Sequence, residues 1–393
     1  MGGNLLPRLD SLFLNKFLGL PVFAFIMWLV FKITFTLSQP ATNIIQLGIG
    51  YIRVFLKDLF GINWISNLIN DGVLNGVGAI LGFLPQIFLV FFMLAFLEHS
   101  GYLHRAAALF SRLMGKIGLS GMSFFPLMLG FGCTVPAVMA SRSIKNKADR
   151  LLTILVAPFI SCSARLPVYI LLAGIFFKGF EDLVLLSLYG IGILMAIISA
   201  LILRKFLLKS KSLPVYAELP QLKLPKFSQM FHSACARSRI FLKNAGTMIL
   251  SIVIIVWILA SLPAGVEYAS ENSILGRIGS FASPIFKPLG FGNWQSVVSL
   301  ATGFVAKEVV IGTLGTLYGS DLNTALQGVF TPLSAYAFMV FVLLYVPCIA
   351  AMATIKSETK SVKWAAFSIV YTTGVAWAMS FLVFQGGKLL GFS

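Results

Sequence analysis

Met122-Ser123-Phe124-Phe125-Pro126-Leu127-Met128-Leu129-Gly130-Phe131-Gly132-Cys133-Thr134-Val135-Pro136-Ala137-Val138-Met139-Ala140 is an apolar run bracketed by two basic segments, Arg105 to Lys116 and Arg142 to Arg150. Basic residues beside membrane spans collect on the cytoplasmic side, so both brackets belong on one side. The run between them is then expected to enter the membrane and return. Pro126, Gly130, Gly132 and Pro136 interrupt helix inside it, and irregular backbone at membrane depth is tolerated only where protein or a water-filled cavity surrounds it. The expected fold is therefore all-α, a polytopic helical membrane protein with broken or re-entrant helices.

The rest of the chain agrees. Of 393 residues 58% are hydrophobic and 11% charged, against about 25% charged in a soluble domain. Apolar segments fall near 20–38, 76–97, 121–140, 151–177, 183–203, 246–262, 293–317, 330–355 and 364–385, many of them near the ~20 residues that cross ~30 Å of hydrocarbon. The formal charge of +17 sits in short stretches between these runs: Arg8 and Lys16, the two brackets, Arg204 to Lys243, and Lys356 to Lys363. Such placement sets topology and meets anionic lipid headgroups; no nucleic-acid partner is expected. Asn43 to Asn70 mixes Arg53, Lys57 and Asp58 with Ile, Leu and Phe, and reads as an amphipathic stretch in the interface, with an extramembrane loop as the alternative. No cleavable signal peptide is expected, because the polar start precedes a run, Leu20 to Leu37, long enough to remain as a span. Cys133, Cys162, Cys235 and Cys348 are widely spaced with no CxxC pair, which argues for free thiols over a disulfide framework.

The second half repeats the first with opposite charge bias. The segments before Asn293 and after Leu317 carry little charge and are expected outside, so Trp294 to Leu317 should also dip and return. Leu103 to Gly132 lies over Leu275 to Phe304 without gaps, pairing Arg105 with Arg277 and Gly118 with Gly290. Val156-Ala157-Pro158-Phe159-Ile160 lies over Tyr345-Val346-Pro347-Cys348-Ile349. Two inverted repeats follow, and transporters place their sites between such repeats. The expected divisions are an N-terminal span and interfacial segment (1–75), a first repeat (76–203), a basic cytoplasmic linker (204–245), a second repeat (246–363) and a C-terminal span (364–393).

Three constellations could carry chemistry. Around Gly130, Gly132, Cys133 and Pro136, a soft ligand stands where glycines admit close backbone and proline frees a carbonyl. At Gly303 to Glu308, adjacent Lys307 and Glu308 lie inside an apolar run, where an ionisable group costs at least ~2.5 kcal/mol at the bilayer centre and normally faces a cavity or a partner. The third joins Pro158 to Arg165, with Cys162, to Pro347, Cys348 and Met352. Thiol, thioether and carboxylate together make a set of intermediate softness, although a Cys or Met in an apolar helix is also an ordinary packing residue. His99, His104 and His232 read as interfacial and Cys235 as incidental. Neither Gly115-Lys116 nor Gly387-Lys388 has the flanking residues of a phosphate loop, and no HExxH or nucleophile elbow is present. Enzymatic activity and GTP binding by these residues are not expected.

Gly132-Cys133-Thr134-Val135-Pro136-Ala137, Gly303-Phe304-Val305-Ala306-Lys307-Glu308-Val309-Val310 and Leu18-Gly19-Leu20-Pro21-Val22-Phe23 resemble the membrane portion of the bacterial ferrous iron transport protein B (FeoB) family. The resemblance extends from about Leu5 to Lys388. It implies two Gate modules at about 80–178 and 250–356, and iron-handling roles for Cys133, Cys162 and Cys348 with Glu308 as the polar Gate residue. Met352 completes the expected metal set, and Gly130, Gly132, Pro136, Gly303, Lys307 and Pro347 are the expected gate positions. It further implies a multi-pass protein of the bacterial inner membrane that takes up Fe(II) as transported ion, with no tightly bound cofactor. Small accessory Feo proteins, the lipid bilayer and a homo-oligomer are the implied partners. Family members begin with a cytosolic GTPase domain, so GTP would act through a missing or separate domain or protein. Mn(II), Zn(II) or a nucleoside-like solute is the alternative cargo, and a non-transporting membrane scaffold the alternative class.

Overall fold

The computed structural model describes residues 18–60, 68–206, 223, 225–243, 247–263, 266, 270–318 and 322–391. Arg8, Lys16, the stretch from Leu5 to Phe17, and residues 207–222, 224, 244 and 245 of the basic linker lie outside the described residues. No strand occurs among the described residues, as composition requires of a chain crossing lipid without forming a barrel. In chain order the helices are α1 (Gly19–Phe60), α2 (Leu74–His99), α3 (Tyr102–Lys116), α4 (Phe124–Gly130), α5 (Thr134–Ala140), α6 (Lys147–Val156), α7 (Leu166–Phe176), α8 (Glu181–Phe206), α9 (Phe227–Phe241), α10 (Thr247–Ser261), α11 (Ile274–Phe286), α12 (Trp294–Val305), α13 (Val309–Tyr318), α14 (Leu322–Val329), α15 (Pro332–Leu344), α16 (Ile349–Thr359) and α17 (Val362–Leu389).

Among the described residues six helical stretches are long and apolar enough to cross a bilayer: Pro21–Leu59, Ile80–His99, Lys147–Phe176, Glu181–Phe206, Pro332–Thr359 and Val362–Leu389. The chain is a multi-pass, all-α membrane protein. Three expected apolar segments, 121–140, 246–262 and 293–317, are not among the six. α3 and the stretch Gly121–Gly130 bend by 107°, the run 293–317 is divided between α12 and α13, and 15 residues of the run 246–262 are described as α10. The stretch from Asn43, read as a separate interfacial element, instead continues α1, a helix of 42 residues with Pro40 inside it. Thr42 Oγ1 donates to Gly82 O at 3.0 Å and Gln46 Nε2 to Gly78 O at 3.2 Å. These polar side chains find their partners on α2, and the helix has no need to break where hydropathy falls.

The chain divides into two compact units: residues 1–61, 77–157 and 197–247, and residues 62–76, 158–196 and 248–393. The expected first repeat thus contributes residues to both. In the first unit, α3 packs on α4, Phe110 stacks on Phe124 at 3.5 Å between centroids, and Phe23 closes on both at 5.2 Å. Asn146 caps α6 by accepting from Ala148 N at 2.8 Å. Asp149, in the first turn of α6, is buried against the Arg204 guanidinium near the end of α8, and Thr153 donates to Ser123 Oγ at 2.8 Å. Arg105, assigned by sequence to a basic surface, is buried and donates to Gly101 O at 3.0 Å.

In the second unit, α15 packs along α17 and α11 on α12. Ser273 and Asn293 cap α11 and α12, and a Thr331–Ser334 capping box opens α15. Every residue from Ala337 to Pro347 is buried. α17 supplies Ser380 Oγ to Ala337 O, Gln385 Nε2 to Pro288 O and Trp377 Nε1 to Ile285 O, at 3.0, 2.6 and 3.1 Å.

The order of elements carries the repeat seen in the sequence: α3, α4 and α5 are followed in α11, α12 and α13 by the same succession. Gly118 and Gly290, paired in the alignment, both take left-handed backbone, φ 76° and 88°, a conformation that costs a side-chain-bearing residue 1–2 kcal/mol or so. The first break leaves Cys133 extended (φ −157°, ψ 135°) and the second leaves Ala306 extended (φ −149°, ψ 131°). A broken span follows in each case, α6–α7 and then α15–α16, and a long helix, α8 or α17, ends each series.

Candidate ion-handling site in the broken helices

Four helix breaks hold or border the expected site residues, one in the first unit and three in the second. Cys133 stands between α4 and α5, and its N–H still bonds Leu129 O at 3.0 Å. Pro136 lies in the first turn of α5, where no N–H partner is required. Gly130 and Gly132 are buried on the incoming side. In the second unit, α12 ends at Val305 and α13 begins at Val309, with Lys307 and Glu308 in the turn between. α15 ends at Leu344 and α16 begins at Ile349, with Pro347 in the gap. The stretch from Pro158 to Arg165 is two short 3-10 turns leading into α7.

A helix that stops inside an apolar environment leaves carbonyls without partners, each costing about 1–3 kcal/mol. Two buried cations meet that demand. Arg165 is 1% exposed, and its guanidinium donates to Pro158 O at 3.2 and 3.3 Å and to Ile160 O at 3.3 Å. Lys307 is 2% exposed; its Nζ donates to Val346 O at 2.6 Å and lies 3.2 Å from the centroid of the Tyr345 ring. Tyr345 in turn donates its hydroxyl to Leu300 O at 3.3 Å. Gly303 makes room for this: a Cβ there would stand 2.6 Å from the Tyr345 hydroxyl and collide with Val310 Cγ2. Thr302 and Thr313 share a hydroxyl hydrogen bond at 2.8 Å across the same break.

All three cysteines of the apolar runs occupy the same kind of position. Cys133 is the N-cap of α5, Cys162 of the 3-10 turn entering α7, and Cys348 of α16, and none caps its helix strongly through sulfur. Cys162 and Cys348 belong to the second unit, within electrostatic reach of Lys307, as are Arg165 and Glu308. Met352 follows Cys348 by one turn, its N–H bonded to Cys348 O at 3.0 Å, and is buried. Glu308 is partly buried. Cys133 belongs to the first unit. Cys235 is exposed on α9, and His99 Nε2 lies 3.4 Å from Ser233 Oγ. Among the described residues no three His, Cys, Asp or Glu side chains stand together as a metal-holding group. A cavity of about 300 Å³ between α7 and α14, lined by Ile170, Gly174, Lys178, Asn323 and Gln327 among others, includes none of the expected site residues.

Tyr345 and Val346 were not singled out from sequence, and Arg165 was quoted without a role. The available signal was a tyrosine and an arginine in apolar runs beside Pro347 and Pro158, in two segments already aligned with one another.

Comparison with known proteins now bears on these breaks. A family model described as "Nucleoside recognition" (Gate) matches residues 80–176 and 242–362, enclosing all four, and one described as "Ferrous iron transport protein B C terminus" matches residues 185–237. An Fe(2+) transporter FeoB of Staphylococcus aureus is 43% identical over 97% of this chain. The chain belongs to the FeoB family. A Methanocaldococcus jannaschii Fe(2+) transporter FeoB is 38% identical, again over 97% of the chain. A Porphyromonas gingivalis Fe(2+) transport protein A/Fe(2+) transporter FeoB fusion protein is 36% identical over 98%. This FeoB-family chain spans 59% of the length of the first two relatives and 52% of the third, and corresponds to their membrane part. Neither matched family model describes a catalytic domain. No solved structure gives a significant match.

Proposed function

We propose that this chain forms the ion-conducting part of a ferrous iron permease of the bacterial inner membrane, carrying Fe(II) inward along its broken helices. The observation behind this reading is that Cys133, Cys162 and Cys348 each stand at the N-cap where helix or 3-10 turn resumes after a break. The last two share a unit with Glu308 and Met352. Thiolate, thioether and carboxylate donors together have the intermediate softness that Fe(II) accepts. A conducted ion needs sites that it can also leave, and donors spread along several breaks suit that better than a closed cage. The relatives' names, Fe(2+) transporter, point the same way. Mn(II) and Zn(II) fit the same donors, whereas a nucleoside would need more amide and carboxylate groups than these breaks offer. Energy input is assigned to a GTPase domain or protein working with this chain, since no phosphate loop occurs in it. The fusion relative supports a small Feo partner.

The test is metal uptake by the purified chain in proteoliposomes, with Fe(II), Mn(II) and Zn(II) compared, with and without a GTPase partner. Fe(II) flux well above that of empty liposomes is expected, and equal flux in both would end the permease reading. Within that assay Cys133→Ser is expected to lower Fe(II) flux several-fold with expression and melting temperature nearly unchanged, because oxygen is the harder ligand. If Cys133 were a packing residue, Cys133→Ala would keep full flux and Cys133→Ser would mainly lower stability. Uptake and melting temperature measured on both variants separate the two outcomes.

A further inference from the structure

Lys307 does more than close a carbonyl. Its ammonium lies in the break between α12 and α13, yet both of its contacts, Val346 O and the Tyr345 ring, belong to the break between α15 and α16. Neither contact is specific to lysine: a freed backbone carbonyl and the negative face of a phenol ring attract any small cation. The seat is also a built one. Pro347 follows Val346 and keeps the helix from resuming there, the bond from Tyr345 to Leu300 O fixes the ring, and Gly303 leaves the space into which the tyrosine fits. Cys162, Cys348 and Glu308 lie within electrostatic reach of Lys307, as does the like-charged Arg165 guanidinium, so single soft and acidic donors stand near the position that the lysine holds without forming a closed metal site.

We propose that the Lys307 ammonium is the resident occupant of a cation seat formed by the Val346 carbonyl and the Tyr345 ring, and that a divalent metal ion enters only by displacing it. This rests on the permease reading and adds to it the residue that sets affinity. Because the same ammonium ties the two breaks together, its displacement releases one from the other. Resting affinity for metal is low for a physical reason: the binding-competent state is the minor one in which Lys307 has left, and apparent affinity falls by that fraction.

The experiment measures metal binding directly, on the chain in lipid nanodiscs without oxygen, using Mn(II) by electron paramagnetic resonance and Fe(II) by calorimetry. Lys307→Met and Lys307→Gln, which remove the competing charge, are expected to bind Mn(II) on the order of tenfold more tightly than wild type. Lys307→Arg, which keeps the charge, should bind no more tightly than wild type. Unchanged affinity in both neutral variants, or an equal gain in Lys307→Arg, overturns the proposal. Gln can still donate to Val346 O, so it carries the test if the Met variant does not fold. A further measurement needs no variant: saturating Mn(II) should expose the Lys307 amine of wild type to an acylating reagent, scored by mass spectrometry, and labelling indifferent to Mn(II) counts against displacement. Fe(II) flux by wild type, run alongside, keeps the two readings apart. Absent flux defeats the permease, while normal flux with unchanged affinity in the neutral variants defeats only the displacement.

Discussion

Cys348→Ser is expected to reduce Fe(II) uptake into proteoliposomes by about tenfold or more, with the melting temperature unchanged or slightly raised. The position makes this a sharp test. Cys348 is the N-cap of α16, its sulfur only a weak acceptor toward the Ala351 N–H of the first turn, whereas serine is among the best N-cap residues, worth about 0.5–2 kcal/mol over residues that cap poorly. A purely structural cysteine should therefore improve on replacement, in stability and with no loss of flux. A ligand should lose flux in a protein that is, if anything, better folded. Cys162→Ser poses the same question at the entry to α7. Cys235→Ser, on the exposed face of α9, should leave uptake at the wild-type level, and full uptake by Cys348→Ser would remove that residue from the ion path.

Arg165→Met is expected to cost roughly 2–6 kcal/mol of stability, since two carbonyls, of Pro158 and Ile160, lose their donor in apolar surroundings at about 1–3 kcal/mol each. The size of methionine keeps most of the packing, so the loss isolates the hydrogen bonds. Arg165→Lys should recover only part of it, because a single ammonium cannot present the planar fork that reaches both oxygens. Unfolding midpoints of the three proteins in the same detergent measure the series. A Met variant as stable as wild type would mean that the carbonyls find other partners and that the guanidinium does not hold the break.

The helix break inside Met122 to Ala140 was legible because Pro126, Gly130, Gly132 and Pro136 crowd one run lying between two basic clusters. The Gly118–Gly290 pairing was legible as well, and both glycines prove to be left-handed. The breaks inside 151–177 and 330–355 were not recognised as such. Hydropathy averages over side chains and cannot register where the backbone stops being helical, and Pro158 and Pro347 were read as a repeat pair beside a possible ligand cluster, with Pro347 as a gate position, without a break being placed at either. Lys307 was expected to face a cavity or a partner, with Glu308 too far round the helix to be that partner by necessity. Its actual partners, a backbone carbonyl and a ring 39 and 38 positions further along, carry no charge to announce them. The end of the first span failed to register for a related reason. Thr42 and Gln46 look like a polar boundary in one dimension and are contacts with α2 in three.

In an apolar 18-residue stretch of the broken span Pro332–Thr359, 89% is buried, against 28% in the corresponding stretch of the neighbouring helix Val362–Leu389. Random substitution should record that contrast. Along Val362–Leu389, swaps among Leu, Ile, Val and Phe exchange one lipid-compatible surface for another. Between Ala337 and Pro347 the same swaps add or remove volume in a space with no slack, where core changes commonly cost 1–5 kcal/mol or so. The stretch that carries the break is thus the one with the least freedom to drift, and a mutational tolerance map of this chain should dip most deeply there.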